Sequence, residues 1–326
     1  MKKKIARSSQ RVVMAVIILL FSNFLCAAGE DTPLSILKEV PSAYSKVSYE
    51  GVRISINWLD PKTPVVISRI THQQVWERIV IIAPPSQSGI IVIRQGNAIS
   101  YENLPGSPIK LVPGEIMDLD LLFKNYEVNL IGKEKVAGRS AYIMEIRPRF
   151  LGRPYKDIWV DQQNFIILKN QDYSAEGKKA QLSFFVEINF KSPVGKEEFD
   201  YNLPKEEVPP AEVPLEEIQK YLPFAILIPS YLPSGFIFQQ AKLIPRNQQP
   251  VLHLIYGDGL CAISLFEESA GRGFFIFRPS QEAIRQEEGE SKIVRWRQGR
   301  SIITVVSELS WEEIEKITKS IAEGQK

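Results

Sequence analysis

The sequence is poor in the residues that build metal sites and disulfide bonds. It has only two cysteines and two histidines in 326 residues. Cys26 belongs to an N-terminal apolar run, and Cys261 by itself cannot form an intramolecular disulfide. With one remaining cysteine and with His72 and His253 far apart in the chain, the residues assemble no zinc site. Cys261 lies in an apolar run, which predicts a buried thiol.

Catalytic motifs are absent as well. The sequence contains no glycine-rich phosphate loop and no serine nucleophile elbow. We expect His72 in a turn between strands and His253 inside an apolar strand, both in structural roles. Acidic pairs fall in a linker or on solvated helix faces, at Glu206-Glu207, Glu216-Glu217 and Glu312-Glu313. The sequence therefore predicts no enzyme and no cofactor, and it disfavours an envelope hydrolase.

The N-terminus has the pattern of a secretory signal. Basic residues precede an apolar run from Val12 to Leu25, and small residues follow it. This pattern predicts cleavage after Ala28 and a periplasmic mature protein. Two alternatives stay open: lipidation of Cys26, which the preceding leucine disfavours, and an uncleaved anchor, which the short run and Asn23 disfavour.

The charge of the mature chain gives no reason to expect nucleic acid as a partner. Removing residues 1–28 takes five of the 40 basic residues and none of the 38 acidic ones, which leaves a net charge of about −3. A small basic cluster comprises Arg147, Arg149, Arg153 and Lys156. We expect it to be solvated surface, and the alternative is that it steers anionic head groups.

The clearest periodicity lies in residues 157–190. Two short apolar runs, Ile158 to Val160 and Phe165 to Leu168, are followed by a segment that alternates with a period of two. The pattern predicts a three-stranded antiparallel meander whose last strand has one apolar face, broken only by Phe185. That face comprises Leu182, Phe184, Val186, Ile188 and Phe190.

A second alternating strand is predicted between Val47 and Trp58. Its apolar side chains are Val52, Ile54, Ile56 and Trp58. Together with the face of the meander they form the predicted apolar set, our candidate ligand-binding residues. The alternative is that these side chains are core and contact only a helix predicted from Glu115 to Tyr126.

The rest of the chain predicts two domains. Strands follow one another closely before and after the helix at 115–126, which indicates an antiparallel sheet. Proline and charge then dominate from Pro193 to Pro214, which is typical of a linker. We place a first domain at 29–195, a linker at 196–214 and a smaller domain at 215–326. The last helix is predicted to begin at Ser310, with Glu313 completing a capping box.

Several motifs together resemble one family. Residues 79–105, IVIIAPPSQSGIIVIRQGNAISYENLP, are similar to a strand, proline turn and strand sequence of the sigma-E factor regulatory proteins of the RseB/MucB type. The hairpin GKEKVAGR at 132–139, the segment IWVD at 158–161 and the segment IPSYLPSGF at 228–236 resemble further motifs of that family. The stretch at 271–277 departs from the pattern.

The resemblance implies a fold and a function. The fold is α+β: a half-open antiparallel β-barrel with plugging helices, similar to lipoprotein carriers (LolA-like), plus a smaller C-terminal α/β domain with an antiparallel sheet. The implied function is extracytoplasmic regulation of a sigma factor, in which the protein binds an anti-sigma factor and senses lipid, lipopolysaccharide or lipoprotein acyl chains. The alternative is a periplasmic lipoprotein or lipid carrier without a signalling partner. Whether the protein is a homo-oligomer stays open.

Overall fold

The structure is a computed structural model that describes residues 31–59, 62, 65–95, 98–102, 118–190, 214–244, 250–270 and 283–323. The predicted signal segment at 1–28 and the predicted linker, apart from Pro214, lie outside the described residues.

The described residues between 31 and 190 form a ten-stranded sheet with two helices. The helices are α1 (Pro33–Lys46) and α2 (Leu119–Asn125). The strand order is β5-β4-β3-β2-β1-β10-β9-β8-β7-β6, and every pair is antiparallel. The strands are β1 (Tyr49–Asn57), β2 (Val65–Gln73), β3 (Trp76–Ala83), β4 (Ile91–Gln95), β5 (Ala98–Glu102), β6 (Tyr126–Val136), β7 (Arg139–Pro148), β8 (Tyr155–Asp161), β9 (Ile167–Tyr173) and β10 (Lys179–Asn189).

Residues 214–323 form a second, six-stranded antiparallel sheet with the order β11-β12-β13-β16-β15-β14. Its helices are α3 (Leu215–Gln219) and α4 (Trp311–Glu323). Its strands are β11 (Ile237–Ile244), β12 (Val251–Gly257), β13 (Ala262–Ser269), β14 (Ile284–Glu288), β15 (Ser291–Gln298) and β16 (Ser301–Ser307). We call 31–190 the N-terminal half and 214–323 the C-terminal half.

The structure confirms an antiparallel, mostly β chain with few helices, and it confirms the predicted meander as β8, β9 and β10. A half-open barrel stays a prediction. The helix predicted from Glu115 to Tyr126 is shorter: residues 115–117 lie outside the described residues, and Tyr126 already begins β6. Strands β5 and β14 were not predicted.

Helices α1 and α2 pack together on apolar side chains of β6, β7 and β8. Ile36, Leu37 and Val40 of α1 belong to one buried cluster with Leu122 of α2. The strand residues of that cluster are Tyr126, Tyr142, Met144, Ile146, Ile158 and Val160. Burial of this many aliphatic side chains is the main favourable contribution to folding, at about 1.5–3 kcal/mol per fully buried side chain.

Side-chain hydrogen bonds cap the N-termini of the two long helices, α1 and α4. Thr32 caps α1 through a reciprocal pair of hydrogen bonds with Ser35. At α4, the Glu313 N–H donates to the Ser310 hydroxyl at 3.4 Å, which is half of the predicted capping box. The Glu313 carboxylate accepts from Tyr231 and Lys316, while the Ser310 N–H donates to the Gly152 carbonyl.

The two histidines are both buried in strands. His253 lies in β12 as predicted, and burial, with a smaller effect of Lys242, lowers its pKa to about 4. His72 lies in β2 and not in the predicted turn, because it pairs with Tyr49 of β1 and Glu77 of β3. Its ring stacks on that of Tyr49 at 4.8 Å. Cys261 is buried with a free thiol, as predicted.

Gly51 provides a test of the close packing of β1 on β10. A Cβ at this position would lie 2.6 Å from the Glu187 carbonyl oxygen and 2.8 Å from the Phe185 ring. We expect Gly51→Ala to lower the free energy of unfolding by about 1–3 kcal/mol, because the added methyl group overpacks the site. Urea unfolding measures the change. The control is Gly132→Ala in β6, where an added Cβ would lie 4.0 Å from Ile143 Cδ1, an ordinary contact distance. Equal losses in both variants would contradict the prediction.

Candidate functional site

The register between β1 and β10 decides which side chains share a face. Ile54 is directly opposite Phe184, and Ile56 is directly opposite Leu182. Opposed residues in an antiparallel pair project from the same side of the sheet. Five members of the predicted apolar set therefore form one surface, the outer stripe, which consists of Val52, Ile54, Ile56, Leu182 and Phe184.

A β-bulge divides the rest of the set. Arg53 pairs with Phe185 and Val52 pairs with Glu187, so Val186 is the extra residue and is 47% exposed. Beyond the bulge the alternation reverses, and Ile188 and Phe190 pack against the cluster that contains the buried Phe185. The single apolar face predicted for Leu182, Phe184, Val186, Ile188 and Phe190 is therefore wrong, because one added residue moves the later side chains to the other side of the sheet.

Trp58 is the remaining member of the predicted set. It follows the last residue of β1 and is 46% exposed. The Lys179 ammonium lies 6.0 Å from the centre of its ring. The structure therefore separates Trp58 from the buried clusters.

A cavity of about 530 Å³ lies between α1 and the sheet face opposite the outer stripe. Pro41, Tyr44 and Ser45 of α1 line one side. The facing strand residues include Tyr49, Arg53, His72, Ile158, Asn170, Ser183 and Phe185. The lining includes no member of the predicted apolar set. As ligand-binding residues, Val52, Ile54, Ile56, Trp58, Leu182, Phe184, Val186, Ile188 and Phe190 stay a prediction.

The cavity wall combines apolar and cationic side chains. Arg53, Arg94, Lys156 and Lys169 line it with one acidic residue, Glu77. Three of the cations have carboxylate partners: Arg94 with Glu77 at 3.8 Å, Lys156 with Asp172 at 3.5 Å and Lys169 with Glu134 at 3.6 Å. The Arg53 Nε is buried and, among the described residues, has no hydrogen-bond partner. The cavity therefore suits a ligand with an apolar body and an anionic or hydrogen-bonding group.

The sequence contains one signal for this arrangement. Phe185 interrupts the alternation of β10, and it is the side chain that lies in the cavity wall next to the bulge. Ser183 and Asn170, joined by a hydrogen bond of 2.6 Å, gave no recognisable pattern because single polar residues in a strand usually indicate solvent.

A buried ion pair joins the two halves of the chain. The Arg153 guanidinium, 1% exposed, donates to the Asp258 carboxylate, 0% exposed, at 2.7 Å. Tyr126 donates its hydroxyl to the same oxygen at 2.9 Å, and the other oxygen accepts from the backbone N–H groups of Leu260 and Cys261. Burial raises the pKa of Tyr126, so the phenol stays a donor.

Two glycines allow the halves to approach at this point. A Cβ on Gly235 would lie 1.8 Å from the Asn125 side-chain oxygen, and one on Gly259 would lie 2.3 Å from the Leu122 backbone nitrogen. Both glycines have a positive φ, which other residues rarely adopt. Asn125 completes the contact by donating to the carbonyls of Gly235 and Asp258.

The predicted basic cluster is largely paired. Arg147 contacts Asp157 at 2.6 Å, and Lys156 contacts Asp172. Arg153 is buried, which contradicts the expectation of a solvated surface for this member, because the Asp258 carboxylate offsets its desolvation.

Two kinds of feature are absent from the described part of the chain: a metal-binding side-chain group and a membrane-spanning helix. This part contains no group of three or more histidine, cysteine or acidic side chains placed to hold a metal ion. It also contains no helix that is long and apolar enough to cross a membrane.

The fold defines a class of two-sheet proteins in which a helix-covered antiparallel sheet is joined to a smaller sheet through a buried polar contact. Residues 32–211 match the family model of the MucB/RseB N-terminal domain, which covers more than half of the chain. The chain belongs to this family.

Two curated relatives agree with this assignment. The chain is 25% identical over 214 residues to the sigma factor AlgU regulatory protein MucB of Pseudomonas aeruginosa, with 65% of each chain covered. It is 26% identical over 195 residues to the sigma-E factor regulatory protein RseB of Haemophilus influenzae, with 55% of this chain and 59% of the relative covered. The matches thus span less than two thirds of the relatives' length.

Solved structures share the fold. The complex structure of Pseudomonas aeruginosa MucA/MucB matches with a TM-score of 0.62 and 19% identity, and covers 87% of this chain and 96% of that chain. MucB in complex with MucA(peri) matches with a TM-score of 0.63 and 18% identity, and covers 89% of this chain and 98% of that chain. The similarity extends over both sheets and therefore includes the C-terminal half.

The buried ion pair predicts an asymmetry between single and double substitutions. We expect Arg153→Met to lower the free energy of unfolding by about 3 kcal/mol or more, because Asp258 then stays buried without its charge partner. Arg153→Met with Asp258→Asn should recover part of the loss. Urea unfolding measures these changes. The control is Glu217→Gln, which breaks an exposed ion pair with Lys220 and is expected to change the free energy of unfolding by less than about 1 kcal/mol. A double variant no more stable than Arg153→Met would contradict the prediction.

Proposed function

We propose that this protein is a non-enzymatic, extracytoplasmic regulator of a sigma factor pathway that binds the outer domain of a membrane anti-sigma factor. The observation that carries the proposal is the family match over residues 32–211. Relatives bear the names of sigma factor regulators, and two solved MucB structures contain MucA. The N-terminal signal pattern supports a periplasmic location.

We further propose that the N-terminal half senses a lipid or the acyl chains of a lipoprotein or lipopolysaccharide. The cavity under α1 supports this proposal, since about 530 Å³ lies within the range of small-molecule sites. Its aromatic and aliphatic lining suits an acyl chain, and its cations suit an acidic head group. Ligand entry could shift the protein between two arrangements only by binding one of them more tightly.

The partner proposal is tested with the purified mature chain. Calorimetry follows the titration of the mature chain with the extracytoplasmic domain of a single-span anti-sigma factor. That factor is one encoded near this chain or in the same genome. We expect saturable binding with a dissociation constant in the micromolar range or below, because a specific complex saturates at a fixed stoichiometry and non-specific association does not. An unrelated periplasmic domain is the control. Absence of saturable binding to the anti-sigma domain would refute the proposal.

The lipid proposal is tested with two neighbouring residues that face opposite sides of β10. Ser183 lines the cavity, whereas Phe184 belongs to the outer stripe. We expect Ser183→Phe to weaken binding of a fluorescent acyl-chain probe at least tenfold, because the ring occupies the cavity. Phe184→Gln should leave binding nearly unchanged. If Phe184→Gln weakens binding and Ser183→Phe does not, the ligand binds on the outer stripe, as the sequence predicted. If neither variant weakens binding, the ligand binds on neither surface.

The alternative function is a lipid or lipoprotein carrier without a signalling partner. The same two titrations separate the proposals. A carrier binds the probe and delivers it to acceptor vesicles but does not bind the anti-sigma domain. A regulator of the proposed kind binds the anti-sigma domain and loses affinity for it when the lipid is bound. By thermodynamic linkage, the anti-sigma domain must then lower the affinity for the lipid by the same factor.

A further inference from the structure

Where β1 and β10 line the cavity, polar side chains lie on the inner side of the sheet and apolar side chains on the outer side. On β1, Arg53 and Ser55 alternate with residues of the outer stripe and therefore project from the cavity side. Arg53 is opposite the buried Phe185, and Ser55 is opposite Ser183. An antiparallel sheet usually turns its apolar side chains to the covered side and its polar ones to solvent. The reversed order indicates that the covered side accommodates a polar group.

Three polar side chains of the cavity wall form a row across adjacent strands. Ser183 of β10 is directly opposite Asn170 of β9, and Arg53 of β1 pairs with Phe185, two residues from Ser183. Such diagonal neighbours in an antiparallel pair are about 7–8 Å apart, a distance that long side chains span. All three residues line the cavity. We call Arg53, Ser183 and Asn170 the polar row.

Arg53 is the member of the polar row that has no acceptor. Ser183 donates its hydroxyl to the Asn170 side-chain oxygen at 2.6 Å, and the Asn170 amide donates to Asp172 at 2.7 Å. In the ranges that the structure describes, the buried Arg53 Nε has no hydrogen-bond partner, and no carboxylate forms an ion pair with the guanidinium. A buried N–H without an acceptor costs free energy, which an oxygen of a ligand recovers.

The other cations of the cavity wall are already paired. Arg94, Lys156 and Lys169 each have a carboxylate partner. Pairing of this kind neutralises most of the charge that a ligand would meet. Among the described residues of the wall, Arg53 is therefore the cation whose charge is available to a ligand.

The rest of the cavity suits one acyl chain. Ile158 of β8 and Ile146 of β7 line it on the far side of β9 from Arg53, and Pro41 and Tyr44 line it from α1. A volume of about 530 Å³ encloses a drug-sized molecule. One chain with its head group is of that size, whereas a lipid with several chains is larger.

We propose that the ligand is a single-chain amphiphile whose acidic group binds Arg53 inside the cavity, with its chain against Ile146 and Ile158. The head group thus enters the protein and does not stay at the surface. The inference rests on the lipid sensing proposed above and narrows it to ligands with an anionic oxygen. A carboxylate and a phosphate monoester both present such oxygens in the geometry of the guanidinium fork, so both sources are tested.

Calorimetric titration of the full mature chain with three ligands of equal chain length tests the acidic group. The ligands are dodecanoate, dodecyl phosphate and dodecan-1-ol at neutral pH, each kept monomeric. We expect at least one anion to bind about tenfold or more tightly than the alcohol, because a hydrogen bond to a charged group contributes more than one to a neutral group. The preferred anion identifies the head group. If the alcohol binds and neither anion is preferred, this inference is wrong and the lipid proposal stands. If none of the three binds, the lipid proposal fails and this inference with it.

Variants of Arg53 test whether this residue causes the preference. Arg53→Met and Arg53→Gln should both lower the affinity for the preferred anion about tenfold or more and change that for the alcohol less than about threefold, because the chain contacts remain. Retained alcohol binding shows that each variant is folded. Two controls should keep the preference: Arg69→Met, an exposed arginine of β2 opposite Val52, and Arg94→Met, a cation of the wall whose partner is Glu77. If the preference survives in both Arg53 variants, or is lost equally in Arg94→Met, the acidic group does not depend on Arg53 and the proposal is overturned.

Discussion

The buried ion pair of Arg153 and Asp258 is the constraint on which the arrangement of the whole chain depends. A charge removed from water costs several kcal/mol, so the pair is stable only with nearly complete hydrogen bonding. Tyr126, two backbone N–H groups and the Ser234 carbonyl supply those bonds. Because these groups come from both halves, neither half can satisfy its own charge alone. The glycines at 235 and 259 allow the backbones to approach closely enough for the contact.

A single extra residue in β10 has a comparable effect on the candidate site. Without the bulge at Val186, the strand would place Ile188 and Phe190 beside Phe184 on the outer stripe. With it, they pack on the inner side with Phe185, and the cavity lies between that side and α1. The outer stripe and the cavity are therefore two distinct apolar surfaces, one on each side of the same strands.

Much of the fold could be predicted from local patterns, and the candidate site could not. The meander and the helix after Ser310 follow from alternation and capping, which act within a few residues. The short helix before Tyr126 was predicted too long because its apolar spacing continues into β6. His72 was assigned to a turn because its partners, Tyr44 and Tyr49, are contributed by α1 and β1.

The sequence by itself determined the antiparallel strands, the family and the absence of catalytic motifs, since these depend on residue order and on recognisable motifs. Tertiary structure alone decided which apolar side chains face the cavity, that Arg153 is buried, and that Lys292 meets Glu176 of the other half. The physical reason is that the burial and pairing of a charged or apolar side chain depend on the groups that surround it in space. Those groups lie as far as 105 residues away in the chain for Arg153 and Asp258, and strand register and the docking of the halves bring them together.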